Sequence, residues 1–144
     1  MTKPLNLAAR TVGAGSVALL LAVAVPSTAH AVGDPSYPAC TTTGASALLR
    51  VIQLTNDGPG AKRDLRFEIT DDARDGHHAR ARFITVDGTG TTRYWKWHAN
   101  YEGVGTIVVN TTAQDSERGI FKSGVQVARA EGSTILNSCT DWTH

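Results

Sequence analysis

From residue 46 onward, apolar and polar positions alternate along most of the chain. Residues 64–70 (DLRFEIT) show it most cleanly. Leu65, Phe67 and Ile69 fall on one face, and Arg66, Glu68 and Thr70 on the other, the signature of a half-buried strand. Residues 46–54 (SALLRVIQL) form an earlier apolar run that stops at Asn56-Asp57-Gly58-Pro59-Gly60. Its length and the Val51-Ile52 pair predict a strand rather than a helix. Residues 79–86 and 91–98 flank Asp87-Gly88-Thr89-Gly90, a hairpin signal. Further strands are predicted over 105–110, over 119–130 with a bend near Gly124, and over 133–139. The proline-bearing stretch 32–39 is an extended lead-in, and 71–78 (DDARDGHH) is a polar loop. About seven strands without an amphipathic helix predict an all-β fold, an antiparallel β-sandwich or small barrel.

The hairpin leaves two registers open, and a one-residue slip inverts every side chain. A three-residue loop (Asp87-Gly88-Thr89) places Ala81 opposite Trp95 and Ala79 opposite Trp97. Both indoles then fill the core, and Arg80, Arg82, Tyr94, Lys96 and His98 line the solvent face as the candidate ligand-binding surface. A two- or four-residue loop instead sets Arg80 and Arg82 on the Trp95/Trp97 face as a cation–π ladder. Burial of two indoles releases more free energy than exposed cation–π contacts, so the first register is the expected one. The Asp-Gly turn argues for the second.

The first 31 residues read differently. Lys3 and Arg10 precede the apolar stretch 16–25 (SVALLLAVAV), Pro26 ends it, and Ala29-His30-Ala31 supplies a small-x-small cleavage pattern. This resembles a general bacterial-type secretion signal, too short in its apolar part to span a bilayer. The expectation is a signal peptide over 1–31, a single all-β domain over 32–144, and a secreted, extracellular location without membrane attachment after cleavage. Export gives meaning to the two cysteines, Cys40 and Cys139, which are expected to form one disulfide. Two cysteines are too few for zinc ribbons, iron–sulfur clusters or dense disulfide scaffolds.

The chain carries 14 basic and 13 acidic residues. With Lys3 and Arg10 in the leader, 12 basic residues face 13 acidic ones after cleavage, a net charge of −1. A near-neutral domain is a poor general polyanion binder, so no nucleic-acid partner is expected. Asp71, Asp72, Asp75, His77 and His78 crowd one loop but depart from the calcium-loop spacing, because Ala73 stands two residues after Asp71. No G-x-S-x-G is present. No cofactor or metal is expected, and the chain reads as a non-catalytic, monomeric domain that binds an extracellular ligand or protein partner. Two alternatives remain: an inhibitor of a secreted hydrolase acting through Lys62 and Arg63 in the 56–64 loop, and a small metal-dependent hydrolase using the 71–78 loop.

Overall fold

The alternating segments form nine antiparallel strands in a computed structural model that describes Gly33 and residues 35–143. The expected signal peptide lies outside the described residues. The strands are β1 (Pro35–Ser36), β2 (Ala39–Thr42), β3 (Ala45–Gln53), β4 (Ala61–Asp71), β5 (His78–Val86), β6 (Thr92–Asn100), β7 (Gly105–Asp115), β8 (Lys122–Glu131) and β9 (Thr134–Trp142). They build two sheets packed together, a sandwich. The first has the order β1-β3-β4-β7, with β2 also paired to β3; the second has the order β6-β5-β8-β9. The two extra strands are β1, within the 32–39 lead-in, and β2, which begins at its last residue. Pro38, which lacks a backbone N–H, separates β2 from β1, and its carbonyl accepts from Leu49 N at 2.9 Å.

Alternation in β3 and β4 becomes an inner face of Ala45, Ala47, Leu49 and Val51 beside Leu65, Phe67 and Ile69, all buried. Ala79, Ala81, Phe83, Val125 and Val127 of the second sheet complete the core. Each fully buried large side chain contributes roughly 1.5–3 kcal/mol relative to exposure. The β4 strand is longer than its alternating heart suggests and takes in Lys62 and Arg63. The irregularity in β8 pairing falls at Arg129–Ala130. Gly124, where a bend was expected, instead makes room for the Trp142 side chain. A Cβ there would stand 2.7 Å from Trp142 Cε3 and 2.5 Å from the Asp141 carbonyl oxygen.

Cys40 of β2 and Cys139 of β9 form a disulfide with their Cα atoms 6.1 Å apart. It joins the two sheets along one lateral edge. Ala39 N donates to Asp141 Oδ2 at 2.9 Å and Thr42 Oγ1 to Asn137 Oδ1 at 3.0 Å along the same seam.

Candidate binding site

The β5–β6 hairpin takes neither predicted register: five residues, Asp87 to Thr91, separate the paired Val86 and Thr92, and Ala81 and Ala79 stand opposite His98 and Asn100 rather than Trp95 and Trp97. The side-chain parity of the first register holds next to the turn and that of the second holds beyond a bulge. The turn is closed by Asp87 and Thr91, with Asp87 N donating to Thr91 O at 3.0 Å and Gly90 at φ +83°. Asp87 Oδ1 accepts from Thr89 N and Thr91 N, which fixes the loop. Next to the turn, Thr85 pairs with Arg93 and Ile84 with Tyr94; beyond the bulge, Arg82 pairs with Trp97 and Ala81 with His98. Trp95 and Lys96 stand against the single residue Phe83, an extra residue that shifts the parity of everything beyond it.

The consequence is that the two indoles part company. Trp95 faces inward, with its ring centroid 5.8 Å from that of Phe83 and its Nε1 donating to Thr85 Oγ1 at 3.1 Å. Trp97 faces outward. The expectation that both fill the core is therefore corrected for Trp97. His98 is corrected too. It leaves the outer face and stacks on Phe67 at 5.2 Å, and burial, then the charge of Lys96, hold its pKa below the ordinary value. This half-buried imidazole turns to the core side of the sheet, away from the outer face that carries Arg80, Arg82 and Tyr94.

On the outer face, Tyr94, Arg82, Trp97 and Arg80 interleave. The Arg82 guanidinium lies 4.2 Å from the Tyr94 ring centroid and 4.4 Å from that of Trp97, and the Arg80 guanidinium 4.8 Å from Trp97. Arg82 Nε donates to Gln126 Oε1 at 2.8 Å and Arg80 Nη2 to Ser133 O at 3.1 Å. Farther along the sheet, Lys122 Nζ sits 5.2 Å from the Trp142 ring. Ile84 lies between, paired with Tyr94 on one side and Gly124 on the other, and is buried although it points outward. The outer side of this sheet is thus a shallow second layer of aromatic and aliphatic packing, which is why β5 shows no alternation of burial.

Arg80, Arg82 and Tyr94 stand where sequence reasoning placed them, and Lys96 is exposed at the bulge. Trp97 stands on the Arg80/Arg82 face as the second register has it, whereas Gln126, Lys122 and Trp142 are not among the residues that sequence reasoning places there. Their signals were present: Arg-x-Arg opposite an aromatic strand, and a mid-strand glycine opposite a tryptophan near the chain's end. The face is also one-signed. Outward positions within 80–86, 92–99, 122–128 and 138–142 include no Asp or Glu, since Asp141 points inward toward β2. Burial, and then repulsion from Arg80, lower the Arg82 pKa from its ordinary value, although the side chain stays charged at physiological pH.

The two other predicted regions do not form the sites that their sequences suggested. Arg63 is buried within β4, paired with Asp57 and donating to Ile120 O at 2.9 Å and Thr55 O at 3.2 Å. Its charge is committed to closing one end of the sandwich, so it cannot enter a protease specificity pocket; of the two basic residues, Lys62 is the exposed one. At the opposite end, a cleft of about 490 Å³ is lined by Asp71, Arg74, His77, His78, Tyr101 and Val104 among others. Asp75 is held by Arg129 and by His77, whose Nδ1 is 3.0 Å from Asp75 Oδ1. The backbone N–H of His77 keeps the Asp75 pKa low. Asp71 Oδ1 accepts from Ala73 N at 3.1 Å, and His78 stacks on Tyr101 at 4.6 Å. Among the described residues, no group of three or more His, Cys, Asp or Glu converges on a metal position, and no Ser, Thr or Cys lines this cleft. No protein-family model matches this chain, and no curated protein matches it at a significant level.

Proposed function

We propose that this chain is an exported, non-catalytic β-sandwich domain that holds an extracellular ligand or protein partner on the outer face of its β6-β5-β8-β9 sheet. The observation that carries this reading is the ladder itself: the Arg82 guanidinium fixed between Tyr94 and Trp97 and that of Arg80 laid on Trp97, with free N–H groups and no carboxylate to quench them. Interleaving removes the rotamer freedom that an exposed arginine would lose on binding, so the donors are preorganised. The disulfide fits an oxidising, non-cytosolic compartment, and the leader supports secretion. A flat face suits an extended chain better than a small molecule, which is usually held in a concave pocket.

Affinity electrophoresis tests this reading, with the purified protein run through gels containing polygalacturonate, its methyl ester, xylan or a soluble β-glucan. At least one polymer is expected to retard the wild type. Tyr94→Ala should weaken that retardation about tenfold, as loss of a stacking anchor of roughly 1–2 kcal/mol implies. Tyr101→Ala, at the far end cleft, should leave it unchanged. Equal retardation of Tyr94→Ala and the wild type would sink the reading, and no retardation by any polymer would sink it for a polysaccharide ligand.

A further inference from the structure

We infer that the occupant of the ladder face is a carboxylate-bearing polysaccharide, a deepening that rests on the reading just given. The argument starts from how this fold treats its arginines. Arg63, Arg66, Arg93, Arg118 and Arg129 each face a carboxylate of the chain. Arg63 is 3% exposed and still receives one. Arg80 is 8% exposed and receives none; its Nε has no hydrogen-bond partner, and a single backbone carbonyl meets its Nη2. A largely buried cation without a counterion is costly, and stacking on Trp97 offsets only part of that cost. An anion brought by a partner would supply what the chain withholds.

Arg82 shows what kind of anion fits. Its Nε is satisfied by Gln126, while both terminal nitrogens have no partner among the described residues. The plane is clamped between Tyr94 and Trp97, so the outer fork points in a fixed direction, as bidentate capture of a carboxylate requires. Arg80 and Arg82 are two residues apart on one strand, about 6.7 Å along its axis. Lys122 extends the row on the neighbouring strand, and Lys96 flanks it on the other side. Cations at intervals with aromatic groups between them match a chain of pyranose rings, each ring offering an apolar C–H face and one carboxylate. Nucleic acid fits less well. Its charge density draws on many cations at once, whereas four cations stand on or beside this face and the mature chain as a whole is slightly acidic.

The test uses the full mature protein and compares polygalacturonate with its methyl ester, which keeps the backbone and removes the charge. Binding to polygalacturonate is expected to exceed binding to the ester at least tenfold and to weaken with added NaCl. Arg82→Gln should lose at least tenfold. Arg82→Lys should recover only part of it, since a point charge cannot bind bidentately. Lys122→Gln, at an exposed position outside the clamp, should lose two- to threefold without a change in melting temperature, and so reports on charge even if Arg82 variants fold poorly. Lys62→Gln, on the other sheet, should bind as the wild type does. Equal binding of acid and ester, with Tyr94→Ala still defective, would overturn the carboxylate and leave the binding face standing. Tighter binding of a DNA duplex than of polygalacturonate would overturn the polysaccharide, and failure of polygalacturonate to bind at all would overturn the inference outright.

Discussion

Asp115 shows how much one side chain can organise. Its Oδ1 accepts from the backbone N–H groups of Glu117, Arg118 and Gly119 at 3.0, 2.8 and 3.3 Å, and its Oδ2 from Arg93 Nη1 at 2.7 Å. The Arg118 N–H foremost, then Glu117, Arg93 and Gly119, lower its pKa to about 2. The same turn presents the Ile120 carbonyl to Arg63, so a surface loop and a buried cation share one device. The unfolded carboxyl titrates near 3.8, so between that value and about 2 the unfolded chain binds the extra proton. Stability from Asp115 is therefore full above about pH 4 and drains away as pH falls toward 2. Urea unfolding midpoints measured from pH 6 to pH 2 should fall across that window, and Asp115→Asn should flatten the fall. A variant whose midpoint falls as steeply as the wild type would show that Asp115 does not carry it.

At the scale of the element, sequence was legible wherever one strand face meets one environment. Leu65, Phe67 and Ile69 could be placed because the period of two runs unbroken through β4. The disulfide followed from compartment and count. Arg63 was misplaced because the segment that holds both it and Asp57 folds back on itself and because its other partner, the Ile120 carbonyl, is 57 positions away, where no local pattern reports it. Trp97 and His98 were misplaced because the bulge depends on how two strands meet. Within β6 alone, nothing marks the extra residue. Once the bulge is known, Lys96 stands out: without it, Arg93, Trp95, His98 and Asn100 would face inward and Tyr94, Trp97 and Ala99 outward in strict alternation. Deleting Lys96 should therefore be tolerated, with a melting temperature within about 5 °C of the wild type, a change of roughly 1 kcal/mol. Indole near-ultraviolet dichroism should persist. Deleting Ala99 should be far more harmful, since the buried Asn100, which donates to the Gly105 carbonyl at 2.7 Å, would lose its side of the sheet. The opposite ranking of the two deletions would mean that the bulge is not where the parity changes.

Across the whole molecule, the two sheets are fastened differently along their two lateral edges. At the β6/β7 edge the Arg93–Asp115 ion pair and the Asn100–Gly105 hydrogen bond cross the seam. At the β2/β9 edge a covalent bond does so, closing a segment with a sequence separation of 99. A loop of that length restricts the unfolded chain by about 4–5 kcal/mol in the chain-entropy account. For a domain of this size that corresponds to a melting temperature lower by roughly 15 °C or more after reduction, in a transition that remains cooperative. The ladder belongs to the other part of the second sheet, chiefly β5 and β6, and touches neither cysteine. Reduction at 20 °C should therefore leave the tryptophan dichroism and polygalacturonate binding nearly intact while the melting curve moves down. Cys40→Ser/Cys139→Ser should reproduce both results without reductant. A melting temperature unmoved by reductant would mean that the two sheets hold together without the sulfur bridge. Loss of binding before unfolding would mean that the clasp shapes the ladder, so that the two edges of the sandwich are not independent.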